Sequence, residues 1–209
     1  MHLDVGAIAA AALGYLIGSI PTAWLVVRWT VGKDLRHEGS QNIGARNSYD
    51  VTGKAWIGVL VALADAAKGA GAVAMARLVS GEFLGIAAAG TSAVIGHNWS
   101  IFLGGRGGRG LAPAAGVALV INPLPLVLWL LMYLTGYFVI RRHVHVGNAV
   151  GTLGIAILIV NTPGALLRAA ALVEPFQVVE FKIAVVAMCI AIMIRHIEPI
   201  RQLLQQRSD

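Results

Sequence analysis

Long apolar blocks separated by short polar segments make up most of this chain. The blocks are residues 5–29, 55–76, 86–103, 111–140, 147–160 and 176–194. They have almost none of the polar faces that the helices or strands of a soluble two-layer fold would carry. Because a transmembrane helix needs about 20 mostly apolar residues, we predict an all-α integral membrane protein with about seven transmembrane helices.

Two polar interruptions decide how these blocks divide. Residues 122–125, Asn-Pro-Leu-Pro, fall inside the block 111–140, and residues 161–164, Asn-Thr-Pro-Gly, follow the block 147–160. Each can mark a turn between crossings, a kink or a re-entrant segment, and our helix count takes the first as a turn. The first block continues past Pro21 to Trp29 with no basic region before it, so we expect a membrane span there and not a cleaved signal peptide.

Composition agrees with this pattern. Hydrophobic residues make up 57% of the 209 residues and charged residues 12%, against roughly 25% charged residues in an average soluble domain. The net charge of +6 does not indicate nucleic acid, because the basic residues lie beside the predicted spans. There they indicate topology and contact with anionic lipid or phosphate. The single cysteine, Cys189, excludes an intrachain disulfide.

The basic residues also predict the orientation. With the N-terminus outside and about seven crossings, twelve of the sixteen lysines and arginines fall on one side. They are Arg28, Lys33, Arg36, Arg46, Lys54, Arg106, Arg109, Arg141, Arg142, Arg195, Arg201 and Arg207. The positive-inside rule then assigns the basic loops and the C-terminus to the cytoplasm. No internal repeat or long linker divides the chain, so residues 1–209 are predicted to form a single domain.

The first polar loop, residues 32–47, carries small polar side chains between glycines. Its glycines at 39 and 44 alternate with Ser40, Gln41, Asn42 and Asn47. Such a segment can turn tightly and direct backbone N–H groups and small side chains into one concavity that holds phosphate or developing negative charge. An ordinary solvated loop explains the same residues equally well.

The second polar loop, residues 96–110, favours anion binding more strongly. Glycines surround Arg106 and Arg109 immediately before the predicted span that begins near Leu111. Backbone without side chains lets a phosphate approach closely, guanidinium groups supply bidentate donors, and the following helix N-terminus adds partial positive charge. The glycines also satisfy the spacing G-x-G-x-x-G, but no βαβ unit surrounds them, so we reject a nucleotide-binding loop.

Two ionisable residues, Asp65 and Lys68, lie inside the second predicted span. Being three residues apart, they share one helix face and can pair. Charges within a membrane are expensive and indicate a functional site by default. A structural ion pair that faces the interior of the bundle accounts for them equally well.

The histidines offer proton transfer but not a metal site. His97 lies at the end of the third span and His196 follows the last one. Either can exchange protons or bind phosphate near neutral pH, or serve as an ordinary hydrogen-bonding residue. His143 and His145 would point apart on a helix, with no cysteine or carboxylate cluster beside them. We therefore predict no metal, and no residue calls for an organic cofactor.

Five polar segments carry a resemblance to a known family. They are residues 18–23 (Gly-Ser-Ile-Pro-Thr-Ala), 34–47 (with Gly-Ser-Gln-Asn-Ile-Gly-Ala-Arg-Asn), 63–69 (Leu-Ala-Asp-Ala-Ala-Lys-Gly), 96–110 (with Gly-Arg-Gly-Gly-Arg-Gly) and 195–200 (Arg-His-Ile-Glu-Pro-Ile). In order and spacing they resemble the bacterial membrane-integral acyl-phosphate:glycerol-3-phosphate acyltransferases over nearly the whole chain.

The resemblance implies a seven-helix fold with cytoplasmic motifs and a defined reaction. A fatty acyl group would pass from acyl phosphate to the sn-1 hydroxyl of glycerol 3-phosphate, giving lysophosphatidic acid and inorganic phosphate. The implied partners are these two substrates and membrane lipid, and the implied location is the cell membrane, with the active site on the cytoplasmic side. The chain also lacks a His-x-x-x-x-Asp motif, which another large acyltransferase class uses as a base pair.

The resemblance also implies the site residues. It gives Ser40, Asn42 and the backbone near Gly44 to the centre of acyl transfer, and His97 and His196 to orientation or proton exchange. Residues expected to bind substrate or its phosphate are Gly39, Gly44, Arg46, Asn47, Lys68, Arg106, Gly107, Gly108, Arg109 and Gly110.

The chain departs from the family pattern at several positions. Arg46 stands in place of a threonine, Asp50 in place of an arginine, and Pro199 in place of an asparagine. His145 and Asn148 replace a serine pair. Asp50 would repel a phosphate, whereas Arg46 can compensate for the missing arginine. Two alternatives therefore stay open: a family member with a changed donor or acceptor or without activity, and a non-catalytic transporter or lipid-binding membrane protein.

Overall fold

The computed structural model describes residues 4–205, and within this range helices are joined by turns without strands. The α-helices are α1 (Val5–Ser19), α2 (Thr22–Val31), α3 (Ala45–Thr52), α4 (Ala55–Val79), α5 (Phe83–Asn98), α6 (Leu111–Ile121), α7 (Leu124–Thr135), α8 (Val144–Asn161), α9 (Gly164–Ala169) and α10 (Val178–Gln205). A 3₁₀ turn (Ile101–Leu103) follows α5, and a π-helical segment (Gly136–Ile140) continues α7. Arg207, which the topology prediction used, lies outside the described residues.

Among the described residues, three helical stretches are long and apolar enough to cross a membrane: Val5–Val31, Ala55–Val79 and Val144–Asn161. Leu111–Ile121 and Leu124–Ile140 are shorter apolar helices. Large aliphatic side chains face outward on the long stretches, as at Leu63 and Ile157. An apolar exterior on helices, whose backbone groups are paired internally, is what a lipid environment requires. The protein is therefore an all-helical integral membrane protein, as predicted.

Both predicted interruptions are helix ends. α6 stops at Ile121 and α7 starts at Leu124, while α8 stops at Asn161. Asn122 stabilises the first interruption, because its Oδ1 accepts from the Leu124 N–H (3.0 Å) and its Nδ2 donates to the Leu167 carbonyl (2.8 Å). Side-chain and backbone groups of this turn thus satisfy each other within the protein, as they must where water is excluded.

Two local features near the N-terminus were not predicted. The first apolar block breaks at Ile20 and Pro21 into α1 and α2, since the residue before a proline disfavours the helical conformation. The first polar loop runs into a short helix, α3, whose start is stabilised by Ser48 donating to the Gly44 carbonyl (3.0 Å). α3 is only eight residues long and mostly polar, so its sequence did not indicate a helix.

Small residues let α1 pack tightly against α5. Gly14 and Gly18 of α1 face the backbone at Ala89 and Ala93 of α5 so closely that a Cβ on either glycine would collide with a carbonyl oxygen. Small residues at such positions let membrane helices approach and gain van der Waals contact. The close pairing brings the break after α1 and the polar loop after α5 into one region of the molecule.

Candidate active site

The two polar loops meet at Gly107 and Gly108. The Ile43 N–H donates to the Gly107 carbonyl (3.3 Å), and the Gly108 N–H donates to the His97 carbonyl (2.9 Å). From α10, Arg195 donates through Nε to the Gly108 carbonyl and through Nη2 to the Gly107 carbonyl, each at 3.0 Å. Three segments that are far apart in the sequence are therefore joined at one point, which we call the loop junction.

Beside the loop junction, five side chains form what we call the anion cradle: Arg109, Arg195, His145, Asn148 and His196. Asn148 Nδ2 lies 3.3 Å from Nε2 of His196, and the rings of His145 and His196 are 6.3 Å apart from centre to centre. Arg195 directly precedes His196, and Gly110, the neighbour of Arg109, lies against Ile192, whose carbonyl bonds the His196 ring. Within residues 4–205, no acidic side chain forms an ion pair with either arginine.

The positive charge of Arg109 has no counter-ion among the described residues. Its guanidinium is partly buried, and among the described residues it has no hydrogen-bonding partner. Burial, reinforced by the charge of Arg195, lowers the pKa of Arg109 from its usual value. A desolvated cation without a counter-ion is unfavourable, and an anion that binds to it relieves that penalty. Arg195 differs because its Nε and Nη2 already donate to the loop backbone.

A second polar group lies under the break between α1 and α2, and we call it the buried charge cluster. It consists of Thr22, Asp65, Lys68 and His97. Lys68 Nζ lies 2.9 Å from the Asp65 carboxylate, and these side chains are only 7% and 2% exposed. The Thr22 hydroxyl donates to the same carboxylate, and His97 Nδ1 lies 3.5 Å from Lys68 Nζ. The predicted pair is therefore formed and faces the interior of the bundle.

The charges of this cluster match the helix ends beside them. Lys68 donates to the carbonyls of Gly18 (3.3 Å) and Ile20 (2.7 Å), where α1 ends. Asp65 accepts from Thr22 at the first residue of α2. The partly negative end of α1 thus meets an ammonium group, and the partly positive start of α2 meets a carboxylate. Of the two interpretations left open for Asp65 and Lys68, this geometry favours the structural ion pair.

An apolar cavity of about 110 Å³ lies between the helices next to the cradle. Its walls include Leu111, Ala118, Trp129, Phe181, Cys189 and Ile192. Leu111 and Ile192 mark the cradle end, because Arg109 comes two residues before Leu111 and His196 Nδ1 donates to the Ile192 carbonyl (2.8 Å). An apolar cavity beside a group of cations suits a ligand with a hydrocarbon tail and an anionic head.

Internal hydrogen bonds fix the shape of the first polar loop. Asn47 is buried, and its amide accepts from the Ser40 N–H (2.9 Å) and donates to the Glu38 carbonyl (3.1 Å). Nearer the start of the loop, the Arg36 side chain pairs with Asp34 at 2.6 Å. Hydrogen bonds from Arg36 hold the pKa of the Asp34 carboxyl well below its usual range. Asn47 therefore supports the loop with both ends of its side chain.

The structure brings together some of the predicted site residues and separates others. Those at the loop junction or the cradle are His97, Gly107, Gly108, Arg109, Gly110 and His196. Those on the first loop and α3 are Gly39, Ser40, Asn42, Gly44, Arg46 and Asn47, while Lys68 lies in the buried charge cluster. Arg106 is exposed, and among the described residues its side chain makes no hydrogen bond to the cradle.

Arg46 and Asp50, two of the departures from the family pattern, pair with each other. The Arg46 Nε donates to both carboxylate oxygens of Asp50 at 2.9 Å, across one turn of α3. Both side chains are largely exposed. The negative charge at position 50 is therefore neutralised by its neighbour.

Three members of the cradle were not predicted as site residues: Arg195, His145 and Asn148. Arg195 had been assigned to topology and to a family motif without a role in the site, and the other two only to a difference from the family pattern. A signal existed, because His145 and Asn148 are three residues apart and share a helix face, and Arg195 directly precedes His196. What the sequence did not reveal is that these two segments meet.

The fold is that of an integral membrane protein in which a group of cationic side chains lies beside an apolar cavity. A family model described as glycerol-3-phosphate acyltransferase matches residues 8–206. The chain belongs to this family, which confirms the resemblance seen in its motifs.

Relatives and solved structures agree with this assignment. Glycerol-3-phosphate acyltransferase 2 of Moorella thermoacetica is 42% identical over 141 residues, which cover 68% of this chain and 71% of the relative. A glycerol-3-phosphate acyltransferase of Geobacter sulfurreducens is 40% identical over 139 residues, 66% of this chain and 70% of the relative. The crystal structure of PlsY (YgiH), an integral membrane glycerol 3-phosphate acyltransferase, in its glycerol 3-phosphate form has a TM-score of 0.77 at 28% identity, covering 96% of this chain and 93% of that one.

Proposed function

We propose that this protein transfers a fatty acyl group from acyl phosphate to glycerol 3-phosphate, giving lysophosphatidic acid and inorganic phosphate. The observation that carries the proposal is the position of the apolar cavity directly beside the anion cradle. An acyl phosphate joins a hydrocarbon tail to a phosphate at the reacting carbonyl, so its site must hold both parts side by side. The names of the relatives support the same acceptor and the same class of reaction.

The proposed reaction needs no covalent enzyme intermediate, because acyl phosphate is already an activated donor. The sn-1 hydroxyl oxygen attacks the acyl carbon and loses its proton, a tetrahedral oxyanion forms, and phosphate departs with the electron pair of the broken C–O bond. The protein contributes by holding two phosphorylated molecules in contact, offsetting their charge and stabilising the oxyanion. Cations suit the first two tasks, and Arg109, next to the loop junction, has no hydrogen-bonding partner among the described residues.

In this scheme, Arg109 binds a substrate phosphate, and Arg106 adds charge from the exposed part of the same loop. Ser40, Asn42 and the backbone near Gly44 stabilise the oxyanion. The hydrogen bond between the two polar loops supports this division of roles, because it holds the donors of the first loop beside the arginine-bearing loop.

The two histidines are assigned to orientation or proton exchange. His196 is part of the cradle, whereas His97 lies between the buried charge cluster and the loop junction. Further substrate contacts are assigned to Gly39, Arg46, Gly107, Gly108 and Gly110. Lys68 and Asn47 act in this scheme through the backbone that they hold, since their polar atoms are bonded within the protein.

We further infer a topology of about seven crossings in one domain over residues 1–209, with the N-terminus outside and the C-terminus and active site in the cytoplasm. The excess of basic residues on the side of the polar loops supports this orientation of the protein in the cell membrane. The contact between the first and second polar loops supports a common side for both.

The first test is phosphate release by the purified protein from palmitoyl phosphate, measured with and without glycerol 3-phosphate. We expect release that depends on the acceptor, and loss of it in Arg109→Ala and Ser40→Ala. Arg141→Ala is the matched control, because Arg141 is an exposed arginine on the same predicted side. Acceptor-independent release, or full activity in Arg109→Ala, would overturn the proposed reaction or the phosphate role.

A second candidate is the same acyl transfer to a different phosphorylated acceptor. The pairing of Arg46 with Asp50 favours this candidate. The family pattern has an arginine at position 50, and here an ion pair takes its place. An acceptor series of phosphorylated polyols with palmitoyl phosphate as donor tests this candidate. A higher kcat/KM for another acceptor than for glycerol 3-phosphate would favour it, and a preference for glycerol 3-phosphate would eliminate it.

A further inference from the structure

We propose that Asn148 is a positioning residue for the acyl transfer, which holds the buried imidazole of His196 in one tautomer and one orientation. The proposal rests on the proposed function only for its consequence in catalysis, since the tautomer itself is a property of the protein alone. Asn148 lies on α8 and His196 on α10, 48 positions apart in sequence.

Both ring nitrogens of His196 have a partner. The side chain is fully buried, with 0% of its surface exposed. Nδ1 lies 2.8 Å from the carbonyl oxygen of Ile192, one turn earlier in α10. Nε2 lies 3.3 Å from Nδ2 of Asn148. Because no water reaches this ring, these contacts decide where its proton resides.

The carbonyl of Ile192 fixes the tautomer. A carbonyl oxygen only accepts hydrogen bonds, so Nδ1 must carry the proton, and in a neutral imidazole Nε2 then presents a lone pair. The Asn148 amide donates to that lone pair. Turning the amide by half a rotation would present its oxygen instead, and would require a proton on Nε2 as well.

The surroundings of His196 select the neutral ring. The titratable and charged groups that face it are Arg109 from the second polar loop, His145 from α8 and Arg195 from its own helix. All of them are cationic or neutral, so a second proton on the ring would add a positive charge beside two guanidinium groups. An amide donor at position 148 is the partner that suits this neutral ring.

No other side chain takes this role within residues 4–205. The residue one turn after His196 in α10 is Pro199, which has neither a side-chain amide nor an N–H. The departure from the family pattern at position 199 is thus accompanied by an amide that reaches the ring from a different helix. Asn148 orients the Nε2 edge of His196 towards the cradle that holds Arg109.

Three variants test the proposal: Asn148→Ala removes the donor, Asn148→Asp replaces it with an isosteric acceptor, and Asn148→Gln keeps an amide. Asn161→Ala is the matched control, because Asn161 is an exposed asparagine at the other end of α8 that bonds only its own helix. Steady-state kinetics with palmitoyl phosphate and glycerol 3-phosphate are measured from pH 5.5 to about 9, a range that covers histidine titration.

We expect Asn148→Ala to lower kcat by roughly five- to tenfold, the effect of one lost hydrogen bond, with little change in KM for either substrate. In Asn148→Asp the carboxylate stabilises a proton on Nε2, so the acidic limb of the kcat profile should move to higher pH. Asn148→Gln should recover part of kcat, and Asn161→Ala should match the wild type. A pH profile that is the same in wild type and Asn148→Asp would overturn the proposal.

Nitrogen-15 NMR of the imidazole rings identifies the tautomer of His196 without substrate or turnover. The His196→Gln variant assigns the His196 signal. We expect Nδ1–H in the wild type and a protonated Nε2 in Asn148→Asp. An Nε2–H tautomer in the wild type, or unchanged signals in both Asn148→Ala and Asn148→Asp, would overturn the proposal. Because this measurement needs no substrate, it remains decisive even if acyl transfer to glycerol 3-phosphate fails.

Discussion

The buried charge cluster and the anion cradle use the same kinds of side chain in opposite ways. In the cluster, Asp65 neutralises Lys68, and each charge also meets a complementary helix end. In the cradle, Arg109 and Arg195 bring two positive charges together, with no acidic partner in the part of the chain that the structure describes. A buried charge that is paired holds the fold together, whereas one without a counter-ion lowers stability and gains most from a ligand.

The largest effect on stability is expected from Asp65→Asn. It leaves the Lys68 ammonium buried without its counter-charge, and removal of one partner of such a pair costs about 3–5 kcal/mol. Thermal unfolding in detergent should show the loss directly. The double variant Asp65→Asn with Lys68→Met removes both charges and should recover more than half of it. If Asp65→Asn unfolds like the wild type and loses only activity, the cluster belongs to the catalytic site instead.

Arg109→Ala in the cradle should lower activity without lowering stability, in contrast to Asp65→Asn. Because Arg109 is partly desolvated and unpaired, its removal should leave the unfolding temperature unchanged or raise it. Loss of a hydrogen bond to a charged phosphate, worth about 1.5–3 kcal/mol, should lower kcat/KM by one to two orders of magnitude. The kcat/KM of Arg109→Lys should lie between those of the wild type and Arg109→Ala, since lysine keeps the charge but loses bidentate geometry. A large loss of stability in Arg109→Ala would contradict the comparison.

A smaller effect, on acyl-chain preference, is expected from a substitution that narrows the cavity. Ala184 lines the apolar cavity, and Ala184→Trp should shift the preference from palmitoyl phosphate towards shorter acyl phosphates, because each buried methylene contributes about 0.8 kcal/mol. Ile183→Trp is the control, since Ile183 directly precedes Ala184 in α10 and faces outward. The ratio of kcat/KM for palmitoyl and lauroyl phosphate measures the shift. An equal change in both variants would show that the cavity does not hold the acyl chain.

Alkylation of Cys189 provides a second readout for the same cavity. This cysteine lines the cavity wall and is the only one in the chain, so a membrane-permeant maleimide reports on one site. We expect palmitoyl phosphate to slow its labelling, and glycerol 3-phosphate alone to leave it unchanged.

Much of the fold could be predicted from the sequence, because lipid imposes a strict rule on composition and length. Apolar blocks had to be helices, and the Asn-Pro and Thr-Pro-Gly interruptions were candidate turns that proved to be helix ends. The break at Pro21 was not predicted, because its penalty is offset by Lys68 and Thr22 from contacts that sequence order does not reveal. Helix α3 was missed for a different reason, since eight mostly polar residues are too short a segment to give a clear helical signal.

The candidate site was predictable only in part. Glycines around Arg109 indicated an anion site, since that residue combination has few other uses. The role of Asp65 and Lys68 could not be decided, because spacing alone permits a pair without saying what surrounds it. Asn148 and Arg195 reach the site only because α8, α10 and the second polar loop pack together. Sequence spacing does not reveal such long-range contacts.

Helix α6 has a consequence for the lipid around the protein. Its 11 residues extend only about 16 Å at 1.5 Å per residue, roughly half of the 30 Å hydrocarbon thickness. Since α6 starts beside the cradle, the polar turn at Asn122 falls near the bilayer midplane once the cradle is set at the membrane surface. Such a mismatch is relieved by local thinning of the bilayer. The thickness of the surrounding bilayer thus becomes a physical variable of this enzyme, and nanodiscs of graded lipid length would reveal it as a dependence of turnover on membrane thickness.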